Sequence, residues 1–187
     1  MSDGVRIAWE HAFSIAGEIA AELGPHVAEL KCVGSVRRKR ETCGDIEFVA
    51  RPKMATDLAG DTYPILDEIE ACLAQIGPRT KGGDRMLQIK DIFGLRGLKL
   101  DLYLVWGQSS WGSQLAIRTG PWELGRHCMI EMRKNGYEHE DGCARRIETK
   151  EVVPTETEEA FFALAGVPCV APSRRDALME SIKGGRV

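Results

Sequence analysis

The sequence predicts an α+β protein: a mixed β-sheet with helices on one face, followed by a smaller C-terminal α+β subdomain. Three features carry this expectation. Alternating apolar and polar residues mark strands between residues 30 and 105. Apolar residues at three and four spacing mark helices ahead of those strands and between them. After Trp106-Gly107 the pattern becomes mainly helical. The expected division is residues 1–106 and residues 107–187.

Each element has its own signal. Residues 3–23 place Ala8, Ala12, Ile15, Ala16, Ile19 and Leu23 on one stripe, with Asp3 as a cap and Gly24-Pro25 as the stop. Leu30 to Val33 reads as a strand ending at Gly34-Ser35. A second strand, Asp45 to Ala50, sets Asp45, Glu47 and Val49 on one face and Ile46 and Phe48 on the other. Residues 62–76 read as a helix built on Ile65, Leu66, Ile69, Leu73 and Ile76, ended by Gly77-Pro78. Met86 to Lys90 and Gly97 to Val105 read as strands. In the latter, Leu98, Leu100, Leu102 and Leu104 oppose Lys99, Asp101 and Tyr103. Pro121 suits the first position of a helix that continues to Lys134 and stops at Asn135-Gly136. Asp141-Gly142 is a turn signal. Thr155 with Glu158 forms a capping box for a helix from Glu156 to Ala165, closed by Gly166, and the tail from Lys183 reads as frayed.

The net charge of −3 gives no global attraction to nucleic acid. A surface of that kind must come from local basic clusters. Two stand out, Arg37-Arg38-Lys39-Arg40 and Ser173-Arg174-Arg175, with a looser group running from Arg118 through Arg126 to Arg133 and Lys134. No apolar run approaches the roughly 18 residues needed to span a bilayer. Residues 1–17 lack the basic start and apolar stretch of a signal peptide. The six cysteines are scattered with no Cys-x-x-Cys pair, and the four histidines are as scattered. That argues against structural zinc and fits free thiols in a reducing, cytoplasmic compartment, with no membrane partner.

Chemistry concentrates in the carboxylates. Asp45 and Glu47, two apart on a strand, project from one face with α-carbons roughly 6–7 Å apart. Asp101 sits on the polar face of a strand otherwise lined by leucines. If the two strands are neighbours, three acids converge on one open face, and they repel unless cations sit among them. Hard divalent ions are the natural answer, and a pair of them is suited to in-line phosphoryl displacement. An Asp-x-Glu pair alone is commonly just a solvated sheet face. Gly34-Ser35 and Arg38 lie upstream, however, and a Gly-Ser turn lets backbone amides and a hydroxyl approach phosphate oxygens while Arg38 offers a fork of donors. Together they suit a metal-bound triphosphate.

Val33-Gly34-Ser35-Val36-Arg37-Arg38 followed by Gly44-Asp45-Ile46-Glu47 resembles the nucleotidyltransferase signature of DNA polymerase beta and its family X relatives. The first metal-binding aspartate of that family lies eleven positions after the glycine, as Asp45 follows Gly34. Leu98 to Leu104 resembles the strand carrying the third carboxylate, Asp101. Ile117-Arg118-Thr119-Gly120-Pro121 resembles the hinge motif between palm and nucleotide-closing subdomain, and Val153 to Arg175 the family's C-terminal end. The resemblance covers residues 30–176 in the right order. Only about 30 residues precede the signature, so the family's lyase domain is expected to be missing, as in reduced viral or phage members. Such a protein would work in the host cytoplasm and leave strand sealing to a partner, a DNA ligase. Two departures stand out: Glu47 occupies a position where most relatives carry aspartate, and Ile117-Arg118 replace the aromatic pair that packs on the incoming sugar.

The resemblance implies roles for these residues. Asp45, Glu47 and Asp101 would hold two magnesium ions, with manganese a substitute, and Asp101 would lie nearest the primer 3′-hydroxyl. Gly34, Ser35, Arg38 and Gly44 would hold the triphosphate, with Arg118, Thr119, Gly120 and Trp122 at the sugar and base. Arg85, Arg126, Arg174 and Arg175 would contact gapped or primer-template DNA. For Trp122 a core or interface position is the competing reading, and for Arg174 and Arg175 a solvated tail. Two rival functions stay open: a nucleotidyltransferase acting on RNA or a small molecule, and a DNA-end-binding protein without turnover.

Overall fold

The computed structural model describes residues 5–107 and 110–185. The chain divides into two compact units, one of Met1–Val36 with Arg40–Trp106, the other of Arg37–Lys39 with Gly107–Val187.

The first unit is a five-stranded mixed sheet. Its strands are β2 (Val27–Cys32), β4 (Ile46–Pro52), β7 (Arg79–Gly83), β8 (Met86–Lys90) and β9 (Lys99–Leu104), in the order β2-β4-β9-β8-β7. The central pair β4–β9 is parallel and every other pairing is antiparallel. Two helices, α1 (Trp9–Leu23) and α3 (Asp67–Ile76), cover one face. Ala12, Ile15, Ile19 and Leu23 of α1 and Ile69, Leu73 and Ile76 of α3 pack there on Ile46, Phe48, Leu100 and Leu102. Because side chains alternate along a strand, burying these residues turns Glu47 and Asp101 to the opposite face.

Two predicted helices begin later than their periodicity suggests. The first starts at Trp9, because Ile7–Ala8 forms a short strand, β1, antiparallel to β3 (Thr42–Cys43). The proposed Asp3 cap lies outside the described residues. Residues 62–64 are not helical: Thr62–Pro64 forms β6, paired with β5 (Met54–Thr56). Pro64 disfavours the helical region for Tyr63, so the helix waits until Asp67.

Among the described residues the second unit holds the α-helices α4 (Trp111–Thr119), α5 (Trp122–Lys134), α6 (Glu158–Ala165) and α7 (Arg175–Lys183), and a small sheet of β10 (Tyr137–Glu140), β11 (Cys143–Arg146) and β12 (Val152–Val153). Leu124, Cys128 and Met132 of α5 form its core with Phe161, Phe162 and Ala165 of α6 and Met179 of α7. The β10–β11 hairpin turns at Asp141-Gly142, both with positive φ, the backbone that a two-residue hairpin turn requires. The cap of α6 is Thr157, whose hydroxyl accepts from the Ala160 amide (3.2 Å), and not Thr155. Thr155 is fully buried and its hydroxyl hydrogen-bonds that of Ser113 (2.5 Å). Helix α7 takes in Arg175, which is buried and not part of a solvated tail, whereas Arg174 stands exposed at the end of a 3-10 turn (Pro172–Arg174).

The six cysteines are free thiols. Among the described residues no helix is long and apolar enough to cross a membrane.

Candidate functional site

Register makes the acid pair. On β4 and β9, Glu47 stands directly opposite Asp101, and Asp45 immediately precedes β4. Adjacent strands lie about 4.8 Å apart, so partners in register share one face at close range. Among the described residues no three His, Cys, Asp or Glu side chains already converge as a ready-made metal shell. Glu47 and Asp101 lie on the two strands, whereas Asp45, expected on the first of them, lies just before it.

Backbone and side chain meet at Gly34. The Val33 amide donates to the Glu47 carbonyl (2.8 Å), carrying the β2–β4 pairing one residue past β2. Gly34 then turns with φ +64° and opens α2 (Gly34–Arg37). A Cβ at Gly34 would lie 1.8 Å from Glu47 Oε2, so the carboxylate occupies the space that any other residue would fill. The next residue, Ser35, has a buried Oγ without a hydrogen-bond partner among the described residues. At Gly44, just before Asp45, a Cβ would lie 3.5 Å from the Arg6 guanidinium.

Asp101 has a support that the sequence reading missed. Its Oδ1 accepts from Gln88 Nε2 (2.7 Å), its register partner on β8, and Gln88 Oε1 accepts from the Thr80 hydroxyl (3.1 Å). This chain fixes which end of the Gln88 amide faces the acid. The available signal was Gln88 on the polar face of β8 between Leu87 and Ile89. Arg85 donates to the Trp106 carbonyl (3.1 Å) and its guanidinium lies 4.5 Å from the Trp106 ring centroid.

In the second unit the arginines build a buried network. Glu158 takes two bonds from Arg37 (2.6 and 2.9 Å) and one from Arg175 (2.8 Å). Burial would raise the Glu158 carboxyl, but the bonds and charges of Arg37 and Arg175 outweigh it and hold it below the ordinary range. Arg37 also donates to the Thr119 hydroxyl (2.6 Å). Arg38 pairs with Asp176 (3.3 Å) and donates to the Thr119 carbonyl. Gly120, with φ +72°, has the Arg38 guanidinium 2.8 Å from where its Cβ would be. The close approach expected there for a base or sugar is thus made by Arg38.

Arg175 departs from its expected role. It is 1% exposed, bonded to Glu158 and to the carbonyls of Ala116 and Val170, and its guanidinium lies over Phe162. A group so enclosed cannot reach DNA phosphates. Arg174 and Arg126 are exposed. Trp122 is 67% exposed with the Arg126 guanidinium 6.0 Å from its ring, so it is not a core residue. Arg118 lies on α4. Burial first, and the Arg118 charge second, lower the pKa of His139, whose buried Nε2 has no partner among the described residues. Burial likewise pushes the Cys128 thiol up to about 12, which leaves it an inert core group.

Two clefts of the first unit, of about 480 and 600 Å³, are lined from α3 and its neighbours and by none of the candidate site residues. No protein-family model matches the chain, and no curated protein matches it.

Proposed function

We propose that this chain is a metal-dependent nucleotidyltransferase of the family X type that adds nucleotides to a DNA 3′ end, filling gaps in repair or end processing. The observation that carries the reading is the in-register pair Glu47 and Asp101, with the Glu47 carboxylate seated over the glycine of a Gly-Ser turn. The all-oxygen set Asp45, Glu47 and Asp101 fits hard divalent ions. The partnerless Ser35 hydroxyl, one residue from Gly34, fits a phosphate oxygen.

In this reading Asp45 and Glu47 would hold two magnesium ions and Asp101 one of them. Bound there, the ions supply Lewis-acid activation of the 3′-hydroxyl and countercharge for pyrophosphate. Asp101 accepts the hydroxyl proton on Oδ2, since Oδ1 already accepts the Gln88 amide. The 3′-oxygen bonds the α-phosphorus as the α–β bridging bond breaks and pyrophosphate departs. Ser35 and the Gly44 amide hold the β- and γ-phosphates. Arg38, committed to Asp176 and Thr119, is assigned to holding the Thr119-Gly120 segment and not to a phosphate. Trp122 and Arg126 offer an aromatic face for a base and a cation for a phosphate.

Primer extension on gapped, nicked, blunt and single-stranded DNA, with ribo- and deoxyribonucleotides and magnesium or manganese, tests the reading. Incorporation should be metal-dependent and fall at least about 1000-fold in Asp101→Asn, while the fold is kept. Absence of incorporation on every substrate, or wild-type turnover in Asp101→Asn, overturns it.

A further inference from the structure

We propose that the N-terminal segment Arg6–Trp9 is a clamp that holds the Gly34-Ser35 turn in its working shape, with Trp9 as the positioning residue. The link to nucleotide use rests on the function proposed above; the clamp itself rests on contacts within the first unit.

The turn has a demanding job. It must keep Gly34 at positive φ beneath the Glu47 carboxylate and present the Ser35 hydroxyl, and it consists of one short helical turn and a loop. A hydrogen bond from the Arg40 amide to the Ser35 carbonyl (3.1 Å) closes it from within. Within this unit its flanks are held further by β4 and by the N-terminal segment. The Trp9 indole N–H donates to the Val36 carbonyl (2.9 Å), directly after Ser35. The Trp9 amide donates to the Glu41 carbonyl (3.1 Å). Ile7 and Ala8 pair with Cys43 and Thr42. Arg6 donates to the Thr42 hydroxyl (3.0 Å) and carbonyl (2.8 Å), and its guanidinium stands against Gly44. One residue, Trp9, therefore grips both sides of the turn: its side chain at Val36 and its backbone at Glu41.

Both ends of the clamp are anchored. Val36 and Cys43 are buried in the core, and the half-buried Trp9 packs against that core with its ring stacked on Phe13 (centroids 5.1 Å apart, planes 23° apart), which is 59% exposed. An indole with a buried apolar face has a packing reason to be where it is. This one is half-buried against the core of the unit, and beyond that packing its nitrogen donates to the carbonyl of the residue after Ser35. A single polar atom there holds the direction of the Val36 carbonyl, one residue past Ser35.

Trp9→Phe isolates that atom, because the ring can still stack on Phe13. Two measurements on the full chain are read together: amide hydrogen exchange of residues 34–36 and 40–43, and the KM and kcat for dATP with magnesium on gapped DNA. Exchange in those residues should quicken by roughly three- to tenfold, while β9 amides stay unchanged, and KM should rise by about the same factor with kcat within about twofold. A merely structural tryptophan would lower overall stability and leave both readouts at wild-type values. If Trp9→Phe does not fold, Arg6→Gln, at an exposed position, carries the exchange test at residues 42–44. Exchange at wild-type rates overturns the clamp, and so does an unchanged KM in an active enzyme. A wild-type protein that does not use dATP refutes the function instead, and the exchange data then decide the clamp alone.

Discussion

Gly34→Ala separates the cost to the fold from the cost to the chemistry. Two terms follow from the structure. The first is backbone strain: at φ +64° a residue with a Cβ is destabilised by about 1–2 kcal/mol. The second is steric. The new methyl would lie 1.8 Å from Glu47 Oε2 and 2.7 Å from Cδ, distances that no real Cβ keeps, and a tight 3.2 Å from Cγ. These atoms are the far end of a flexible side chain, so the carboxylate swings away and the sheet holds. Unfolding free energy in urea should therefore drop by only about 1–2 kcal/mol. The carboxylate, however, is displaced by more than about 1 Å, and misplacement of that size costs on the order of 100-fold in rate. Single-nucleotide gap filling at saturating magnesium reads this loss directly. Glu47→Ala provides the control: in that background the methyl meets no carboxylate, and Gly34→Ala adds only the backbone cost. Wild-type turnover per folded Gly34→Ala molecule would refute the claim that Glu47 works from the position it occupies over the glycine.

Two further outcomes concern the second unit. Glu158→Gln leaves Arg175, 1% exposed, without its counterion and Arg37 with a weaker acceptor. A broken buried pair of this kind costs about 3–5 kcal/mol, seen as a lower urea midpoint, whereas a loss below about 1 kcal/mol would mean that Arg175 finds other partners. His139 sets a pH dependence. Burial and the Arg118 charge hold its folded pKa below 6.5, so the unfolded chain takes up a proton that the folded one refuses. The stability this contributes is complete above pH 6.5 and is lost as pH falls below it. Urea midpoints at pH 7.5, 6.5 and 5.5 should decline more steeply for the wild type than for His139→Gln, and parallel declines would remove His139 as the cause.

Local pattern made much of the fold legible. Strand alternation set Ile46, Phe48, Leu100 and Leu102 toward the core, because that face follows from a period of two, but it did not foresee that Val49, on the face of Glu47, is buried as well. Pro121, Asn135-Gly136 and Asp141-Gly142 marked boundaries through their backbone preferences. What stayed hidden was non-local. The Glu47–Asp101 register depends on a crossover of some fifty residues, and the Gln88 bond on a further strand pairing. Arg175 was readable in principle: it shares a helical stripe with Leu178, Met179 and Ile182, an apolar face, while Arg174 does not. Reading Arg174-Arg175 as one basic cluster hid that difference. Thr155 and Thr157 competed for one cap, and the capping-box spacing favoured the residue that packing had claimed for Ser113.

The glutamate at residue 47 and the close approach at Gly34 belong to one arrangement. A glutamate places its carboxylate one methylene farther from the strand than an aspartate. On a sheet face that extra length is rotational freedom, which Glu47 would have to lose to meet ions in a fixed place as proposed above. Here the freedom is taken up by Gly34: Cγ, Cδ and Oε2 of Glu47 all lie within 3.2 Å of where a Cβ would be, so the chain folds back over the turn and does not reach outward. The bond from the Val33 amide to the Glu47 carbonyl fixes the two backbones at the spacing this requires. An aspartate would not reach as far over the glycine, which would then be required by its left-handed backbone alone. The glutamate is therefore better understood as one half of a fitted pair than as a weakened aspartate. The glycine does two things at once, supplying the turn's left-handed backbone and the room in which the carboxylate is held.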